Sequence, residues 1–161
     1  LGAVREFILR WLPALLWTGV VLGFSSEAFA AAQTSRWLLP LLRGMFPSAD
    51  PEVLEALHLG IRKLAHVVEY AILALLFVRS WSGRVGIESA RDVGRALLLV
   101  ALVAAVDEYR QSLSSARTGS IRDWGIDLGG ALLAIVVLWA WERIGGSRSG
   151  GARRGGRRVR G

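Results

Sequence analysis

Residues 63–81 read KLAHVVEYAILALLFVRSW. Lys63, His66, Glu69 and Tyr70 open this stretch, an unbroken apolar run follows from Ala71 to Val78, and Arg79 and Trp81 close it. As a helix, the part from about Leu64 to Trp81 approaches the roughly 17–25 residues that cross a hydrocarbon layer. Residues three, four and seven apart share a helix face, so Lys63, His66 and Tyr70 fall on one stripe, with Glu69 beside His66. Ionisable groups at or inside a membrane boundary are costly and normally face a bundle interior or a polar cavity. This stretch therefore predicts a spanning helix with a polar stripe turned inward at one end.

Three more apolar segments stand around it, at about residues 7–24, 96–106 and 124–141. The third of the four segments is short, but a helix continuing through Asp107–Gln111 reaches the far interface. The 161 residues are 53% hydrophobic with 7 Trp, too apolar and too blocky for an ordinary soluble domain. The expected fold is all-α, a polytopic bundle of four transmembrane helices, with an interfacial amphipathic helical segment between the first and second spans. That segment holds the apolar run from Trp37 to Leu42. Asp50-Pro51-Glu52 then reads as a helix start, with Asp as N-cap and Pro at the first helical position. The helix begun there runs through Leu57 and Ile61 toward the second span.

Six arginines (Arg148, Arg153, Arg154, Arg157, Arg158 and Arg160) carry nearly all of the net charge of +7, so the body is close to balanced and no nucleic-acid partner is expected. Arg5 and Arg10, the connection bearing Arg79, Arg84, Arg91 and Arg95, and the tail all fall on one face of a four-span bundle. The positive-inside rule makes that face cytoplasmic, with both termini there. A competing reading treats the first segment as a secretory signal with the A-x-A site Ala28-Phe29-Ala30, which leaves three spans and an external tail. Residues 1–145 are expected to form the membrane domain. Residues 146–161, rich in Gly, Ser and Arg, cannot bury a core and are expected to be a disordered tail, anchored to anionic lipid rather than to RNA. With no cysteine, disulfides and thiolate metal sites are excluded.

The remaining polar groups gather on the same side as Lys63 and His66. Asp107 and Gln111 are four apart, with Glu108 beside them. Asp123 and Asp127 are four apart, and Gly129 and Gly130 follow as small residues that let helices approach. Each group alone reads equally well as an interfacial anchor, but together they point to one polar site. Lys63 is also the only lysine, a compact ammonium where the chain otherwise uses the arginine fork. Lys63 and Arg117 face five carboxylates (Glu69, Asp107, Glu108, Asp123, Asp127), a surplus that is costly at low dielectric. Inward pairing of Arg62, Arg110 or Arg122, protonation of some carboxylates, or a divalent metal held by Asp107, Glu108 and Asp123 each resolves it. Ser112, Ser114 or Ser115 with His66 lacks a nucleophile-elbow pattern, and the glycines near Gly83 and Gly86 lack phosphate-loop spacing.

The set Lys63-x-x-His66-x-x-Glu69-Tyr70, Asp107-Glu108-x-x-Gln111 and Arg117-x5-Asp123-x3-Asp127-x-x-Gly130 resembles the VanZ-like family of small bacterial membrane proteins. The Ser25-Ser26 pair closing the first span fits as well, and the resemblance covers about residues 7 to 142. Two positions depart from it: Asp127 stands where the family commonly has Asn, and Ser115-Ala116 where it often has Pro-Gly. The resemblance implies an integral membrane protein of the cell envelope, in some members linked to teicoplanin resistance, and it brings no reaction. The expected function is engagement of an anionic envelope lipid, such as a polyprenyl-phosphate-linked precursor, at a site facing the outer leaflet. Lys63 and Arg117 hold the phosphate, and Tyr70, Gln111 and Asp127 complete the ligand-binding face. His66 is the candidate general acid or base, oriented by Glu69 or Asp107, with Glu108 also in the catalytic set. The alternative is a non-catalytic accessory protein whose polar cluster is a structural and recognition network. A proton-coupled carrier is disfavoured because no mid-membrane ionisable residue or broken helix stands out.

Overall fold

The computed structural model describes residues 2–26, 29–113 and 121–152. They form five helices, α1 (Gly2–Phe24), α2 (Ala31–Met45), α3 (Pro51–Ser82), α4 (Ala90–Ser112) and α5 (Ile121–Ala152), with no strand among the described residues. The all-α expectation holds, and the two helix extensions read from the sequence are present. α3 starts at Pro51, with Asp50 as the extended N-cap residue, and continues unbroken through the 63–81 stretch. α4 carries on past the apolar segment to include Asp107 and Gln111. Helix ends follow local chemistry. Ser89 caps α4, accepting from the Asp92 amide at 3.1 Å and donating to its carboxylate at 2.7 Å. Gly83 ends α3 in the left-handed conformation, φ 79°, which its missing Cβ permits.

α3 is the hub, packing against α1, α2, α4 and α5, while α4 also packs on α5. The core lies between the long helices and includes Ala14, Val21, Tyr70, Leu73, Phe77, Val100 and Ala104, all buried. Small residues dominate where α4 and α5 face inward (Ala96, Ala104, Ala131), so backbones approach closely. A second, smaller core of Leu38, Leu42 and Leu54 joins α2 to the first turns of α3.

The outward faces are apolar. Leu15 and Leu16 on α1, Leu98 and Leu102 on α4, and Leu133 and Val137 on α5 are all exposed. By length and composition two helices qualify as membrane spans, Gly2–Phe24 and Ile121–Ile144, where four were expected. α3 and α4 carry ionisable groups within or at the ends of their apolar stretches, which is where the polar site is built. Only 11% and 22% of the residues in the two qualifying windows are buried, whereas a soluble core helix would be mostly buried. α1 is also built into the bundle. Trp17 Nε1 donates to the Glu69 carbonyl at 2.9 Å, and Arg79 and Ser80 both donate to the Arg10 carbonyl. α5 extends through Ala152, past the boundary expected at residue 146, even though Gly145, Gly146, Gly150 and Gly151 are poor helix formers. Residues 153–161 of the expected tail and Ala28 of the A-x-A reading lie outside the described residues.

Candidate functional site

The C-terminal ends of α1 and α4, the middle of α3 and the start of α5 meet at one end of the bundle. One close contact sets the register there. A Cβ on Gly130 would lie 2.5 Å from the Val67 carbonyl oxygen and 2.9 Å from Val67 Cα, so only glycine lets α5 cross α3 at this point. Gly129 has open space instead, so of the two small residues only Gly130 makes the crossing. The crossing places Asp127, one turn earlier on α5, against His66, the neighbour of Val67.

His66 Nδ1 lies 3.4 Å from Asp127 Oδ1. Asp127 is buried, whereas the His66 side chain is 23% exposed. A carboxylate beside a ring nitrogen favours a proton on that nitrogen and fixes the orientation of the imidazole. The expected orienting residues were Glu69 or Asp107, and the geometry assigns that contact to Asp127. Asp107 is turned elsewhere. Its Oδ2 accepts from Ser25 Oγ at 2.6 Å and from Gln111 Nε2 at 2.8 Å, and Gln111 Nε2 also donates to Ser25 Oγ at 2.5 Å. The three side chains close a buried ring that ties the end of α1 to the end of α4.

The predicted stripe on α3 runs from surface to core: Lys63 exposed, His66 half-buried, Tyr70 fully buried. Lys63 has no ion-pair partner among the described residues. The Tyr70 hydroxyl, Asp107 Oδ1 and Asp127 Oδ2 are buried without a hydrogen-bond partner among the described residues. These three atoms come from three helices, and Tyr70 lies within electrostatic range of both carboxylates. Buried polar atoms are rarely left unsatisfied, so each such atom asks for an explanation. Glu69, Glu108 and Asp123 are half-buried around this interior. Arg117 lies outside the described residues, as do Ser114 and Ser115.

Among the described residues no group of three or more His, Asp or Glu side chains is placed to hold a metal ion, so Asp107, Glu108 and Asp123 are not brought together as ligands. The reason is helical geometry. Glu108 follows Asp107 directly and points about 100° away around α4, while Asp107 is committed to Ser25 and Gln111. Nor does Arg110 pair inward; its guanidinium donates to the Leu22 carbonyl at 3.1 Å.

Sequence reading missed a second polar cluster. His58 is buried, with Nε2 3.1 Å from Thr34 Oγ1. Arg62 donates to the same hydroxyl at 3.0 Å and to the Phe29 carbonyl at 2.7 Å. The signal lay in the four-residue spacing Leu54-His58-Arg62, which puts His58 on the stripe that meets α2. This cluster latches α2 to α3.

No curated protein and no solved structure matches the chain. A family model described as VanZ/LLP1 matches residues 10–142, from the first helix to the end of the apolar part of α5. It takes in Ser25, His66, Asp107, Gln111, Asp127 and Gly130. With most of its length and its whole polar site inside that match, the chain belongs to the VanZ/LLP1 family.

Proposed function

We propose that the chain is an integral membrane protein of the bacterial inner membrane, with α1, α3, α4 and α5 spanning and α2 lying in the interface. Both termini are cytoplasmic, and the His66 site opens toward the outer leaflet. There it engages an anionic envelope lipid, a polyprenyl-phosphate-linked precursor being the expected class. The observation carrying this reading is an inverted polarity. Apolar side chains cover the outside of the bundle, while a polar stripe leads from exposed Lys63 through His66 to the unpartnered hydroxyl of buried Tyr70. A lipid phosphate held by Lys63, with Arg117, sits at the mouth of that stripe. His66 Nε2, oriented by Asp127, accepts or returns a proton at the phosphate, either from an attacking hydroxyl or to a departing oxygen. A link to glycopeptide susceptibility follows if that lipid is a cell-wall precursor.

A second reading has its own observation. The Ser25–Asp107–Gln111 ring is closed and buried, as in a purely structural network, and favours an accessory protein that binds lipid without turnover. The test compares envelope lipids and precursors in cells expressing the wild type, His66→Ala or Asp127→Ala at matched membrane levels. A lipid species that changes only with the wild type supports chemistry or transfer at the site. Identical profiles in all three strains refute turnover and leave the accessory role.

A further inference from the structure

The opposite end of the bundle carries arginines whose charge its carboxylates do not match. Arg5, Arg10, Arg79, Arg84, Arg91, Arg95 and Arg143 gather there with Glu6, Glu88, Asp92 and Glu142. Three of the four carboxylates are already engaged. Glu88 takes Arg84 at 3.0 Å, Asp92 takes Arg95 at 3.3 Å, and Glu142 accepts from the Ile87 amide and lies 3.7 Å from Arg84. Glu6, on α1, makes no ion pair among the described residues. Arg10 and Arg79 therefore have no acidic partner among the described residues.

These two arginines are held together by the backbone. Pro13 inside α1 has no N–H, so the helix is weakened one turn above Leu9. At the adjoining carbonyl, Arg10 O, α3 inserts two donors, Arg79 Nη1 at 3.3 Å and Ser80 Oγ at 3.2 Å. The Arg10 guanidinium in turn lies over Gly83, where a Cβ would stand 3.3 Å from its Cζ. Gly83 thus both ends α3 and leaves room for the cation. Trp11 meets Trp81 edge to face at 4.7 Å beside this pair, and Arg95 lies 6.0 Å over the Trp81 ring. Tryptophans with arginines are the composition of a membrane interface, and the exposed apolar face of α1 leads away from them.

We propose that the α1–α3 seam formed by Arg10, Arg79 and Gly83, flanked by Trp11 and Trp81, binds the phosphate of an anionic phospholipid headgroup. The two guanidiniums supply the forked donors that suit a phosphate, and the tryptophans sit at the depth of the glycerol backbone. This rests on the membrane reading above but not on the chemistry proposed for His66. The site lies at the other end of the bundle, so the lipid-profile experiment and the one below fail independently.

The purified full chain in neutral detergent is offered phosphatidylglycerol, phosphatidylcholine or inorganic phosphate, with retention read by native mass spectrometry. Phosphatidylglycerol is expected to be retained over phosphatidylcholine. Arg10→Gln keeps the backbone carbonyl that Arg79 and Ser80 use, so folding is preserved. It should weaken retention about tenfold or more, the scale of one charge-assisted hydrogen bond. Arg5→Gln/Arg91→Gln removes exposed charge at the same end and should change retention less than about twofold. Equal retention of the two lipids overturns the proposal. So does an unaffected Arg10→Gln, equal loss in the Arg5/Arg91 control, or displacement of the lipid by equimolar inorganic phosphate.

Discussion

Replacing Gly130 by alanine tests both the packing and the site, because one helix crossing serves both. The added Cβ would lie 2.5 Å from Val67 O, 2.9 Å from Val67 Cα and 3.1 Å from Val67 C, all backbone atoms that cannot rotate away. Ordinary contact between carbon atoms is about 3.5–4.0 Å, so α5 must withdraw from α3 by roughly 1 Å. Overpacking of this kind costs about 1–3 kcal/mol. For a chain of this size that corresponds to roughly 2–12 °C in melting temperature. The same withdrawal acts one turn away, on the 3.4 Å contact between His66 and Asp127, and takes it beyond ion-pair distance. Gly129→Ala is the matched control, since a Cβ there meets nothing within 4 Å. It gains helix propensity, about 1 kcal/mol at most. Both variants are purified in one detergent and melted with loss of monodispersity as the readout. Gly130→Ala melting with or above Gly129→Ala would refute the close crossing and the register it imposes on the site.

Further outcomes follow from individual contacts. Ser25→Ala deprives buried Asp107 of its shortest hydrogen bond and should cost about 1–3 kcal/mol. Combined with Gln111→Leu in a double-mutant cycle it should show coupling of about 0.5–3 kcal/mol, and strict additivity would mean the ring is not a unit. Asp127→Ala should reproduce the lipid profile of His66→Ala, since it removes the acceptor that orients the imidazole. A wild-type profile in Asp127→Ala alone would show that His66 works without it. Thr34→Val leaves His58 Nε2 and Arg62 Nη1 without their shared hydroxyl. The α2–α3 connection at residues 46–50 should then be cut faster by protease, at least severalfold for a loss of about 1–3 kcal/mol in local stability; an unchanged rate would discount the latch.

Much of this protein was legible from residue order alone. The helices follow from the apolar runs and from local signals such as Asp50-Pro51 and Ser89 with Asp92, because capping and periodicity act over a single turn. That Lys63, His66 and Tyr70 share a face is likewise a property of one helix. The meeting of Asp107, Gln111 and Asp127 at the His66 end followed from counting spans. Which carboxylate faces His66 did not follow. Glu69 is nearer in the chain, yet Asp127 makes the contact, because the choice depends on how α5 is rotated against α3. A shift of one residue turns a helix by about 100° and would present a different side chain. That rotation is set by Gly130 against the Val67 backbone, a contact between distant segments that no local pattern encodes. The same holds for Asp107, drawn to Ser25 rather than into a metal site, and for His58, whose burial exists only because α2 folds back onto α3. Sequence by itself determined which groups could take part; tertiary packing decided which of them touch.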